Sequence, residues 1–200
     1  MADPAKQVSI AYASTDDIPH ILAMIKELAA YEHASDSVEA TETSLLHTLT
    51  FSPSSSSGHT HHTNPGYAKT LILRLPRTPE HPGDEPEAVV GMAMFFNNYS
   101  TWRSKPGVYL EDLYVREQYR GRGYGRVLIR VLAQEVLRIG GGRLEWSCLT
   151  WNESSLKFYE GLGARQMEGW VGLRLEGGAL GDVAAGRREG VGREEGGRAG

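Results

Sequence analysis

The chain has 200 residues, 40% hydrophobic and 23% charged, with a formal net charge of -4 and a single cysteine. That length favours one domain with appended segments, and a core of about 150 residues would bury roughly two-thirds of its unfolded surface. The lone Cys148 excludes an internal disulfide and fits a reducing, cytoplasmic setting; there is no apolar signal-like core at the N-terminus or run long enough to enter a membrane, and the acidic balance provides no basic footprint for nucleic acid.

In chain order, residues 7–13 alternate well enough for a short strand. Ser14 to Asp17 reads as a helix start, and Ile18, Ile21, Leu22, Ile25, Leu28 and Ala29 recur at helical spacing to about Tyr31. A weaker helix is expected over 39–49. Residues 52–66 are rich in serine and histidine and read as a flexible loop; 67–75 reads as a strand; and 76–87, with four prolines, as an exposed connection. Two buried strands are expected at 88–96 and 108–115. A helix over 125–139 follows, with Gly140 able to cap its end. Then come a strand at 144–149, a short helix at 153–161 and a final strand at 170–175. The glycine-rich stretch 177–200 reads as disordered. This order describes a mixed α/β fold in one domain spanning 7–175.

Chemistry concentrates where the strand 108–115 passes into the following helix. Arg120-Gly121-Arg122-Gly123-Tyr124-Gly125-Arg126 occupies the turn, where outward-pointing N–H groups and the helix dipole make an anion site suited to a pyrophosphate. The glycines permit close backbone approach, and the arginines add positive charge. A Walker A loop is excluded because no Gly-Lys-Ser/Thr ends the motif, and the G-x-G-x-G spacing departs from the dinucleotide fingerprint. His59, His61 and His62 have no carboxylate or thiol partner at a metal-binding spacing; they read as solvated, and no metal is expected.

The R-x-x-G-x-G turn resembles the acetyl-CoA motif of the GNAT superfamily of N-acetyltransferases. The segments 25–32 (IKELAAYE), 91–96 (GMAMFF), 109–115 (YLEDLYV), 119–125 (YRGRGYG) and 151–164 (WNESSLKFYEGLGA) are similar, in order and spacing, to spermidine/spermine and thialysine N-acetyltransferases. The likeness covers 7–175 and lapses in the two loops and the tail. It implies a mostly antiparallel sheet flanked by helices, a homodimer, acetyl-CoA as co-substrate and a small amine as acceptor. By the same resemblance, the backbone of Leu113, Tyr114 and Val115 would bind the pantetheine arm, and Arg120 with the turn from Gly121 to Arg126 would hold the pyrophosphate. Asn152 and Ser155 would contact the cofactor, and Tyr159 would stand beside the thioester sulfur.

An alkylamine is protonated at pH 7, and removing its proton costs roughly 4.6 kcal/mol if its pKa is ~10.4. Glu111 is the candidate base, and the phenol of Tyr159 can donate to the departing thiolate. Cys148 as a nucleophile is the rival route. Glu111 and Asp112 should face opposite sides of a regular strand, but a β-bulge, which the family has here, would bring both towards one site. The resemblance extends the substrate wall to Tyr31, Glu32, Trp102, Asp112, Glu145, Ser147 and Glu168, although the family carries different residue types around 145–147. The alternatives are a protein lysine or N-terminal acetyltransferase and a non-catalytic acyl-CoA-binding module.

Overall fold

Period-two apolar patterning builds the sheet, and helical spacing of apolar residues builds its covers. In the computed structural model, which describes residues 8–52, 66–76 and 87–187, the elements are β1 (Ser9–Tyr12), α1 (Ile18–Tyr31), α2 (Glu42–Thr48), β2 (Leu49–Thr50), β3 (Ala68–Pro76), β4 (Glu87–Ser100), β5 (Lys105–Val115), α3 (Tyr124–Arg138), β6 (Leu144–Trp146), α4 (Glu153–Glu160) and α5 (Gly177–Ala184). The sheet runs β1-β3-β4-β5-β6, with β2 joined to β3. The β1–β3, β3–β4 and β4–β5 pairs are antiparallel; β5–β6 and the two-residue β2–β3 pair are parallel. The fold is thus mixed α/β, with a mostly antiparallel sheet.

The chain divides into two compact units, Met1–Leu156 and Lys157–Gly200. In the first, Ile18, Ile21 and Met24 of α1 and Leu45 of α2 pack with Ile72, Val89, Met92, Met94 and Tyr114 on one face of the sheet. Ile21 and Met24 are wholly buried, and each contributes roughly 1.5–3 kcal/mol by leaving water. The α3 helix touches β4 and β5 and buries Val127, Leu128, Leu132 and Val136. Asp17 anchors the start of α1: its carboxylate accepts from the Ser14 backbone N–H and hydroxyl and is ion-paired with Arg74 of β3.

Three expectations need correction. The expected strand at 144–149 stops at Trp146, so Cys148 lies beyond it. Trp170–Leu175 forms no strand among the described residues; alternation supplies propensity, but a strand also needs a hydrogen-bonded neighbour. Gly177–Ala184, in the stretch expected to be disordered, is the helix α5, closed at its end by Arg187 donating from its backbone N–H to the Asp182 carbonyl and pairing with the Asp182 carboxylate at 2.7 Å. Most of residues 52–66 and 76–87, including His59, His61 and His62, and residues 188–200 lie outside the described residues.

Candidate active site

Two features of β5 create the site. The first is a bulge. Phe95 of β4 faces Leu110, but Met94 faces Asp112, so Glu111 has no residue opposite it. An extra residue resets the alternation, and Asp112 shares the face of Tyr114, which packs with α1. The second is an opening. β6 pairs with Val108, Tyr109 and Leu110, and among the described residues no strand pairs with Glu111 to Val115 of β5 on that side. Leu113, Tyr114 and Val115 remain paired to β4 through Ala93, Met92 and Gly91. The Val115 carbonyl accepts from Arg120 Nε at 2.9 Å, so one backbone group expected to bind pantetheine is already engaged.

The bulge gathers carboxylates. Burial, then the charge of Glu111, then that of Glu32 push the Asp112 carboxyl up to about 6. Burial also raises Glu32 at the end of α1. A carboxylate at about 6 is a better proton acceptor at neutral pH than an ordinary aspartate, while remaining mostly ionised. Cys148 belongs to the same neighbourhood: burial and Glu32 raise its thiol, which disfavours the nucleophilic thiolate.

The Gly-rich turn has the form expected of an anion cradle. Gly121 (φ 75°) and Gly123 (φ 85°) are left-handed, and Gly123 caps α3 with no side-chain hydrogen bond. The first turn of a helix presents N–H groups without intrahelical acceptors. A side chain built at Gly121 would meet nothing within 4 Å, so there is room for a ligand group. These features fit a bound pyrophosphate. Arg122 and Arg126 are exposed beside the turn, Tyr124 is buried, and Gly125 lies in the first turn of α3. Arg120 is committed to the protein: its guanidinium lies 4.9 Å from the Tyr31 ring centroid and 5.4 Å from that of Tyr114.

Asn152, 7% exposed, accepts from the Ser155 backbone N–H at 3.1 Å and from the Tyr31 hydroxyl at 3.2 Å. Tyr31, expected on the amine side, and Asn152, expected on the cofactor side, are therefore in contact. Trp102 sits at the tip of the β4–β5 hairpin, 91% exposed, away from the carboxylates. Glu145 accepts from Asn98 and pairs with Arg143, each at 2.6 Å, so its charge is already compensated. Ser147 shares a hydrogen bond with Tyr109 at 2.8 Å. In the second unit, Tyr159 is half-buried on α4, its ring 5.1 Å from that of Phe158, and Glu168 is exposed on an irregular segment.

The structure also recruits residues that the sequence reading passes over. Trp151 lies 6.1 Å from the Tyr31 ring and 5.8 Å from that of His33. Glu27 pairs with Arg116 at 3.2 Å and shares a hydrogen bond with the Tyr114 hydroxyl. The signal for Glu27 was its four-residue spacing from Tyr31 on α1. Among the described residues, no group of three or more His, Cys, Asp or Glu could hold a metal, and no helix is long and apolar enough to cross a membrane.

Residues 58–164 match the acetyltransferase (GNAT) family. The chain is 31% identical to an L-ornithine N5-acetyltransferase of Arabidopsis thaliana, over 86% of this chain and 85% of the relative. It is 35% identical to a thialysine N-epsilon-acetyltransferase of Bos taurus, over 88% and 97%. Among solved structures, an integron cassette protein from V. cholerae superposes with a TM-score of 0.64 at 22% identity, covering 89% of this chain and 98% of that one; that likeness concerns the fold.

Proposed function

The chain belongs to the GNAT acetyltransferase family and is an acetyl-transferring enzyme, and from that premise we propose that it acetylates a primary amine of a polyamine, diamine or similar small cationic amine, by direct attack while both substrates are bound. Acetyl-CoA supplies the activated acetyl thioester, with Gly121 to Arg126 holding its pyrophosphate and the open edge of β5 receiving its pantetheine arm. The amine nitrogen attacks the thioester carbon, forming C–N as C–S breaks. Before attack the ammonium gives one proton to the Glu111–Asp112 pair. As C–S breaks, the departing thiolate takes a proton from Tyr159, and the second proton shed by the nitrogen as the amide forms restores the phenol. The raised Cys148 thiol supports direct transfer over a covalent acetyl-enzyme.

One observation carries the substrate class: three carboxylates, Glu32, Glu111 and Asp112, lie near enough together that, after burial, the charges of Glu111 and Glu32 add to the rise of Asp112. Carboxylates crowded together repel one another unless a ligand brings positive charge. One ammonium is the reacting group; further carboxylates suit a second cation. Relatives named for L-ornithine and thialysine support a small-amine acceptor.

The test is an acetylation panel of ornithine, spermidine, putrescine, a monoamine and a neutral arylamine. Two partly exposed charge pairs of about 1 kcal/mol each predict a ~10–30-fold preference in kcat/KM for the multiply charged amines, shrinking as salt rises. Glu32→Gln should raise KM for these amines more than for the monoamine. Indifference to substrate charge would remove the polycation reading.

A further inference from the structure

Glu27 and Tyr31 lie four residues apart, on one face of α1, and both reach the segment that leads into the Gly-rich turn. Glu27 holds Arg116 and the Tyr114 hydroxyl. Tyr31 lies 4.9 Å from the guanidinium of Arg120, whose Nε also bonds the Val115 carbonyl. The hydroxyl of the same tyrosine donates to Asn152, the residue that accepts from the Ser155 backbone N–H at the start of α4. The next residue is Glu32, whose charge reaches Asp112. His33 follows in the left-handed conformation (φ 59°), its ring against Trp151. A single side chain therefore touches the cofactor turn and the start of α4, and it is joined by one peptide bond to a carboxylate of the amine site.

We propose that Tyr31 is a positioning residue that makes binding of the amine and of acetyl-CoA mutually dependent. The proposal rests on the acetyl-transfer reading above. A phosphate group seated on the turn restricts Gly121 to Gly123 and with them Arg120. Arg120 held over the Tyr31 ring restrains the last turn of α1, and hence Glu32. An amine held by Glu32 restrains the same turn from the other end. Whichever ligand binds second meets a site already partly ordered, so each strengthens the other without contact between them. Linkage requires the two enhancements to be equal, and couplings of this kind are typically about 5–150-fold.

Calorimetric titration of the full chain with CoA, which carries no acetyl group and permits no turnover, tests this with and without a saturating amount of the best amine from the panel. In the wild type, the amine should tighten CoA binding about 5-fold or more. Tyr31→Phe keeps the ring over Arg120 and loses only the bond to Asn152, so it should retain part of that enhancement. Tyr31→Leu loses both contacts and should abolish it. A merely structural tyrosine would instead lower the melting temperature or weaken both ligands and leave the ratio of the two CoA affinities unchanged; that outcome overturns the proposal. If Tyr31→Leu does not fold, Arg120→Gln decides, because it leaves the ring and removes the cation over it: an enhancement within twofold of wild type overturns the proposal. A wild type that binds CoA and acetylates the amine, yet shows no enhancement, also overturns it. A wild type that binds no CoA defeats the acetyl-transfer reading itself.

Discussion

Above pH 6 the folded chain holds Asp112 ionised among other carboxylates, an arrangement the unfolded chain avoids. The carboxyl rises from 3.8 to about 6 on folding, so between those values the folded state binds more protons than the unfolded state. This contribution therefore lowers stability as pH rises through the window and levels off above it. A shift of about two units corresponds to about 3 kcal/mol. Asp112→Asn should accordingly raise the melting temperature at pH 7.5 and have little effect near pH 4, as paired thermal scans across that range would reveal. It should also lower kcat/KM for a multiply charged amine. A variant equally stabilised at both pH values would mean that packing, and not ionisation, is responsible. The Glu-Asp pair was legible in the sequence; its inequality was not. Glu111 and Asp112 are chemically alike and adjacent, and only the register between Met94 and Phe95 assigns one to the unpaired bulge and the other to a buried face. The pairing of Glu145 was hidden for a related reason. Its partners Asn98 and Arg143 come from another strand and from the residue two before it, and nothing in their spacing announces that all three converge.

Two helices end in the same way with different residues. At the end of α3, Gly140 donates to the Leu137 carbonyl and Gly141 to that of Val136, with Gly140 at φ 66°. At the end of α1, His33 donates to Ala30 and Ala34 to Ala29, with His33 at φ 59°. Both are Schellman closures, which place a left-handed residue just past the helix and favour glycine there. Gly140 as a cap was legible because glycine identifies itself. The end of α1 was placed correctly near Tyr31, yet its closure was hidden because histidine in that role costs about 1–2 kcal/mol. What the histidine adds is its ring against Trp151, beside Glu32. His33→Gly should therefore leave the melting temperature unchanged or slightly raised, relief of strain being partly offset by the greater unfolded-state entropy of glycine. KM for the amine should rise as the Glu32 segment loosens. Thermal scans and steady-state kinetics read the two effects separately, and a variant with lower stability and unchanged KM would assign His33 to folding alone. The bulged β5 and the short β6 follow the same pattern. The strands themselves were visible from their apolar runs, but where pairing stops depends on a neighbour about 35 residues away, beyond the reach of local propensity.

At the scale of the whole chain, the residues proposed to hold the cofactor, the Gly-rich turn, the open edge of β5 and Asn152, are not the one proposed to protonate the thiolate, Tyr159. Cofactor affinity and the chemical step should therefore be separable by mutation. A ligand that binds only the folded chain stabilises it by mass action, by about 2.7 kcal/mol at 100 times its Kd, so CoA should raise the melting temperature in a dose-dependent way. Gly121→Ala isolates the turn: the added methyl meets nothing in the protein, though φ 75° makes it strained. The variant should lose about 1–2 kcal/mol of stability from the backbone and, in addition, most of its response to CoA, because the methyl occupies space a phosphate would approach. Tyr159→Phe should behave oppositely, responding to CoA as the wild type does while kcat falls ~10-fold to 10⁴-fold, the range of a lost proton donor. Melting curves with and without CoA, set beside initial rates under saturating substrates, distinguish the two variants in one experiment. A full thermal response in Gly121→Ala would move the phosphate site elsewhere, and an unchanged kcat in Tyr159→Phe, with chemistry limiting, would leave the departing thiolate to be protonated by another donor.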